Sequence, residues 1–78
     1  MKPKEYYKII NSYPIDSEFL IKIDRGNGPI EREVILKYDK DNKNKEFYFK
    51  ESMERLDLRL IGGLENILSL QEVLDGMC

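Results

Sequence analysis

The stretch YDKDNKNKEFYFKE, Tyr38 to Glu51, gathers the residues of this chain whose types and spacing could do chemistry. Asp39 and Asp41 stand two residues apart, as do the first ligands of a calcium loop. Such a loop needs oxygen donors at its first, third and fifth positions, glycine at the sixth and a bidentate glutamate at the twelfth. Counted from Asp39, these later positions are Lys43, Asn44 and Lys50, so two cations stand where ligands belong. The residue types predict a solvated turn instead, with Asp39, Asp41 and Asn42 bonding nearby backbone groups.

Phe47, Tyr48 and Phe49 lie between Lys45 and Lys50, which suggests a strand that stacks nucleic-acid bases. Glu46 occupies the place where such a strand needs glycine, and Asp39, Asp41, Glu46 and Glu51 offset the neighbouring lysines. Phosphate binding requires an uncompensated basic field, so nucleic acid is not an expected partner. The segment RGNGP, Arg25 to Pro29, could cradle a phosphate only if it fed a helix N-terminus, and it feeds a strand pattern. Gly26, Asn27 and Gly28 read as a turn.

Catalysis has little to work with. The chain has no histidine, and its one cysteine is Cys78, the last residue. A proton shuttle near neutral pH and a positioned thiol are both missing, so no enzyme, no cofactor and no metal, zinc included, are expected.

The elements that must position these residues follow from periodicity. Tyr6, Ile9, Ile10 and Tyr13 fall on one helical face, Pro3 suits a first turn, and Pro14 ends the helix. Glu18 to Asp24 alternates, with Phe19, Ile21 and Ile23 on one side, and so does Glu31 to Tyr38. Pairing Glu18 with Lys37 and Lys22 with Glu33 places Phe19 opposite Leu36, Ile21 opposite Val34 and Leu20 opposite Ile35. A second hairpin sets Tyr38 opposite Phe47 and Leu36 opposite Phe49, with Asp39 to Glu46 as a charged loop. RLDLRLI, Arg55 to Ile61, alternates and predicts a fourth strand with Phe49 facing Leu56 and Glu46 facing Arg59. Its residue types favour helix, and that alternative stays open. Beyond Gly62 and Gly63, the residues Leu64, Ile67, Leu68, Leu70, Val73, Leu74 and Met77 predict a C-terminal helix that starts at Leu64 or restarts at Leu70.

These elements make a single α+β domain over residues 1–78: an N-terminal helix, a three- or four-stranded antiparallel meander, and a C-terminal helix packed on the sheet face that carries Phe19, Ile21, Ile23, Val34, Leu36, Phe47 and Phe49. With 36% charged residues, 41% hydrophobic residues and a net charge of -2, the composition is that of a folded domain. No apolar run approaches a membrane span or a signal core, which predicts a cytoplasmic protein. A core of this size is marginal, so a homodimer stays open.

The other sheet face is the candidate contact surface. Leu20, Ile35 and Tyr48 point outward there, rimmed by Lys22, Lys37, Glu33 and Arg59, and apolar residues rimmed by charge are the usual make-up of a protein contact. The expected function is a non-catalytic protein-binding module that docks on a larger partner and blocks or adapts it. Two alternatives accompany it: a small phage or mobile-element inhibitor of a host defence protein, of the anti-CRISPR kind, and a structural or self-assembling subunit. The terminal segment with Leu70, Val73 and Met77 is the runner-up surface.

Overall fold

The computed structural model describes residues 1–73, so the expectations for Leu74, Met77 and Cys78 lie outside the described residues. Helix α1 runs Pro3–Ser12 and buries Tyr6 and Ile10, four residues apart on one face. It ends as its sequence predicts, with Tyr13 extended before Pro14. Strands β1 (Glu18–Asp24), β2 (Pro29–Asp39), β3 (Asn44–Phe49) and β4 (Ile67–Glu72) form one antiparallel sheet in the order β3-β2-β1-β4. The first three strands are a meander. The fourth returns over a long connection to lie beside β1, which makes a Greek key.

Burial alternates along β1 as expected: Phe19, Ile21 and Ile23 are buried, and Val34, Leu36 and Phe47 join them from the neighbouring strands. Tyr6 and Ile10 of α1 close one part of this face, and Leu56 and Ile61 from the β3–β4 connection close another. Phe49 is only half-buried, because its partner Val34 is the last rung of the β2–β3 ladder.

Three features differ from the sequence expectations. First, both hairpin registers are two residues tighter: Phe19 faces Val34, Leu20 faces Glu33, Leu36 faces Phe47 and Tyr38 faces Lys45. The turns decide this. Gly26 and Gly28, at φ 104° and 100°, reverse the chain so that Asp24 already pairs with Pro29, and the Asp24 carboxylate accepts from the Gly26 N–H at 2.8 Å. At the second hairpin the Asp39 carboxylate accepts from Asp41 N at 3.0 Å and Asn42 Nδ2 at 3.0 Å, and Lys43 takes a left-handed φ of 56°. Exposed cross-strand charge pairs are worth only about 0.2–1 kcal/mol and yield to these turns.

Second, Arg55 to Ile61 is not a strand. The chain touches the β3 edge at a single bridge, Tyr48 with Arg55, and then curls where Asp57 Oδ1 accepts from Arg59 N at 2.9 Å. An aspartate that offers its own backbone an acceptor competes with a ladder, and no β-branched residue before Ile61 opposes it.

Third, the C-terminal helix is absent over the described part. Leu64–Asn66 is one turn of 3-10 helix, and Ile67–Glu72 is strand β4. Pairing with β1 satisfies a sheet edge and buries Ile67, which a helix could not do from the same place.

Candidate docking face

The outer sheet face is built by the residues that alternate with the core set. Glu18, Leu20 and Lys22 come from β1, Glu31, Glu33, Ile35, Lys37 and Asp39 from β2, and Glu46 and Tyr48 from β3. Ile35 pairs directly with Tyr48, and Leu20 sits one rung away across from Glu33, not across from Ile35. The three apolar side chains form a diagonal over three strands, all half-buried.

Charges surround this diagonal and largely neutralise one another. Lys50 Nζ lies 2.6 Å from Glu18 Oε1 and 3.7 Å from Glu33 Oε2, reaching across β2 between Glu33 and Ile35. Lys22 Nζ lies 3.8 Å from Glu31. Lys37 stands across from Glu46 and bonds the Asp16 carboxylate. Glu18 therefore finds Lys50, and the expected partner Lys37 goes to Asp16.

Arg59 is not part of this face. Its side chain is 88% exposed in the turn after Asp57, to which it bonds. The arginine beside Tyr48 is Arg55, whose Nη1 donates to Asp39 Oδ2 at 3.0 Å. Asp39 is buried at 6% exposure, and it ties the β2–β3 turn to the segment that covers the β3 edge. Burial by itself would raise its pKa, yet the donors from Asp41, Arg55 and Asn42 hold the carboxyl below the usual range. Burial, followed by the Asp39 charge, pushes the Tyr48 hydroxyl up. The face is thus a charge-compensated apolar strip with a hydrogen-bonded polar end at Asp39 and Arg55. The exchange of Arg59 for Arg55 could be found only from the register, since both are arginines in one alternating run.

Where β3 stops and β2 continues, a cleft of about 570 Å3 is lined by residues that include Leu20, Glu31, Glu33, Phe49 and Glu51. Glu31 and Glu33 there pair with Lys22 and Lys50, and the cleft holds no cluster of His, Cys, Asp and Glu fit for a metal among the described residues. Among the described residues no helix is long and apolar enough to cross a membrane. In comparisons with known proteins the chain matches no family model, no curated protein and no solved structure.

Proposed function

We propose that this chain is a non-catalytic protein-binding module that docks through the outer sheet face on a larger partner and blocks or adapts it. The observation that carries the reading is the diagonal of Leu20, Ile35 and Tyr48 across adjacent strands, inside a rim of paired Lys22, Lys37, Lys50, Glu18, Glu31 and Glu33. A partner that covers the diagonal removes water from apolar surface at roughly 25 cal/mol per Å2, and the rim sets orientation by charge. The compensated lysines argue against a phosphate backbone as the ligand. Sequence content supports a role without catalysis, since histidine is absent.

The test compares the wild-type chain with the Leu20→Lys/Ile35→Lys double variant. Both residues point away from the core, so the variant should keep the wild-type circular dichroism spectrum and melt within a few degrees of it. Tagged wild type is used to capture a partner from its host, identified by mass spectrometry, and the purified pair is then titrated. The double variant should bind that partner at least about 30-fold more weakly, the loss of two interface anchors. Equal binding by both proteins overturns the assignment of this face.

A further inference from the structure

The two edges of the sheet are finished differently. Along β3, Phe49 N donates to Glu54 O at 2.8 Å, Met53 N to Phe49 O at 2.7 Å and Leu56 N to Phe47 O at 2.8 Å, so residues 53–56 cover the outward groups of Phe47 and Phe49. Along β4, among the described residues, only the start is covered, where the Met1 nitrogen donates to Ile67 O at 2.9 Å. Val73 N donates to Glu18 O at 2.8 Å, which fixes the phase of the β1–β4 ladder. Ser69, Gln71 and Val73 bond toward β1, and Leu70 and Glu72 turn their N–H and C=O groups outward. No described strand pairs with them.

Ile67–Glu72 also lacks the lysine, arginine or proline that commonly guards a sheet edge. The irregularity between Lys22 and Ile23 puts a bulge at Leu68, which guards only the beginning of the strand. Leu68 and Val73, at either end of the open part, are 53% and 40% exposed.

We infer that β4 is a strand-pairing site for a second copy of this chain, joined antiparallel about a two-fold axis at Gln71. In that register Leu70 of each copy faces Glu72 of the other, and every outward N–H and C=O of the two residues is used. Gln71 meets Gln71 on the outer face, where each amide can donate and accept. The two Leu70 side chains are diagonal neighbours on the inner face and extend the half-buried margin of the core. The one charged residue of β4, Glu72, lands opposite a leucine, and the two exposed Glu72 side chains are diagonal neighbours, not directly opposed. Exposed Val73 comes to lie beside Ser69 of the second copy. The match is a property of this strand with itself, and a second copy is the occupant that always brings it. This interface lies on the edge and does not rest on the docking face described above.

Sedimentation and amide exchange under reducing conditions test the inference. Apparent mass should climb toward twice the monomer value as concentration rises. The Leu70 and Glu72 amides should exchange about tenfold more slowly over the same range, while those of Ser69 and Gln71 are protected throughout. Glu72→Pro deletes an outward donor at a position where an edge strand tolerates proline, and it should be a folded monomer at every concentration. Gln71→Lys, which sets like charges across the axis and leaves the backbone intact, should behave the same way if Glu72→Pro fails to fold. A wild type that stays monomeric overturns the inference, as does a dimer that persists in a folded variant. Protection of Leu70 and Glu72 at low concentration also overturns it, since the edge would then be covered within one chain.

Discussion

Asp39 is buried and ties the β2–β3 turn to the segment that follows β3. One carboxylate oxygen sets the β2–β3 turn through Asp41 N, and the other receives Asn42 Nδ2 and Arg55 Nη1, each at 3.0 Å. Sequence reading places Asp39 in a locally bonded turn, and the structure adds a distant role, because only folding brings Arg55 within reach. Its pH signature has a definite sign. A carboxyl whose folded pKa lies below the unfolded value of about 3.9 stabilises the fold fully above that value, and the contribution is lost as pH falls through the folded titration. Asp39→Asn should therefore be clearly less stable than wild type at about pH 7, and the gap should narrow at about pH 2.5. Glu46, raised first by burial and also by the Asp39 charge, changes stability in the opposite sense; the burial part is common to both proteins and cancels, and the repulsion relieved in Asp39→Asn subtracts from the gap at about pH 7. Urea unfolding at the two pH values reads this out; a gap independent of pH would show that the charge of Asp39 is irrelevant.

At the scale of elements, the connection from β3 to β4 makes the Greek key, and Gly62 is its tightest point. Its φ is 87°, and a Cβ there would sit 2.3 Å from Asn66 Nδ2, the group that donates to Ile61 O at 2.6 Å. Gly62→Ala should cost about 1–2 kcal/mol, combining the left-handed backbone with displacement of the Asn66 amide. Thermal melts of Gly62→Ala and Gly62→Asn separate the two causes, since asparagine tolerates the backbone better and retains the steric conflict. A Gly62→Ala protein as stable as wild type would mean that the turn relaxes freely. The same connection explains where sequence reading stops. Helix α1 and strands β1 to β3 were legible because their apolar residues recur at one fixed period. Strand β4 was not, because the bulge at Leu68 puts Ile67 and Leu70 on the same face three residues apart, and with Leu64 this spacing looks helical. Arg55 to Ile61 failed in the opposite way: its leucines alternate, yet Leu56 is buried and Leu60 is 66% exposed after the Asp57 turn. The outer-face set survived a register error because a shift of two residues keeps every side chain on its own side, so Leu20, Ile35 and Tyr48 stayed together. Arg59 did not, since its place required residues 55–61 to run on as a strand, and the chain turns away at Asp57.

For the whole molecule, one core joins all layers, and Phe47 is its junction. Its ring is fully buried, 5.3 Å from the centroid of Phe19 on β1 and 5.9 Å from that of Tyr6 on α1. Phe19 in turn lies edge-on to Tyr13 at 5.0 Å, so four aromatic rings fasten the helix and the turn after it to the sheet. A 78-residue chain whose only cysteine is Cys78 has no internal disulfide to supplement this cluster. A core of that size supplies roughly 3–5 kcal/mol of net stability. Removing a buried phenylalanine ring costs about 3–5 kcal/mol through lost transfer energy and the cavity left behind, so Phe47→Ala should consume nearly the whole margin. The expected protein is largely unfolded at 25 °C by circular dichroism, without a cooperative urea transition. Phe49→Ala should be milder, because Phe49 is half-buried at the end of its ladder and opens on the cleft beside Glu33. The order of the two variants is the sharper measurement. If Phe49→Ala proved the more damaging, the chain's stability would be centred on the cleft end of the sheet, and α1 would be an appendage of the core instead of one of its walls.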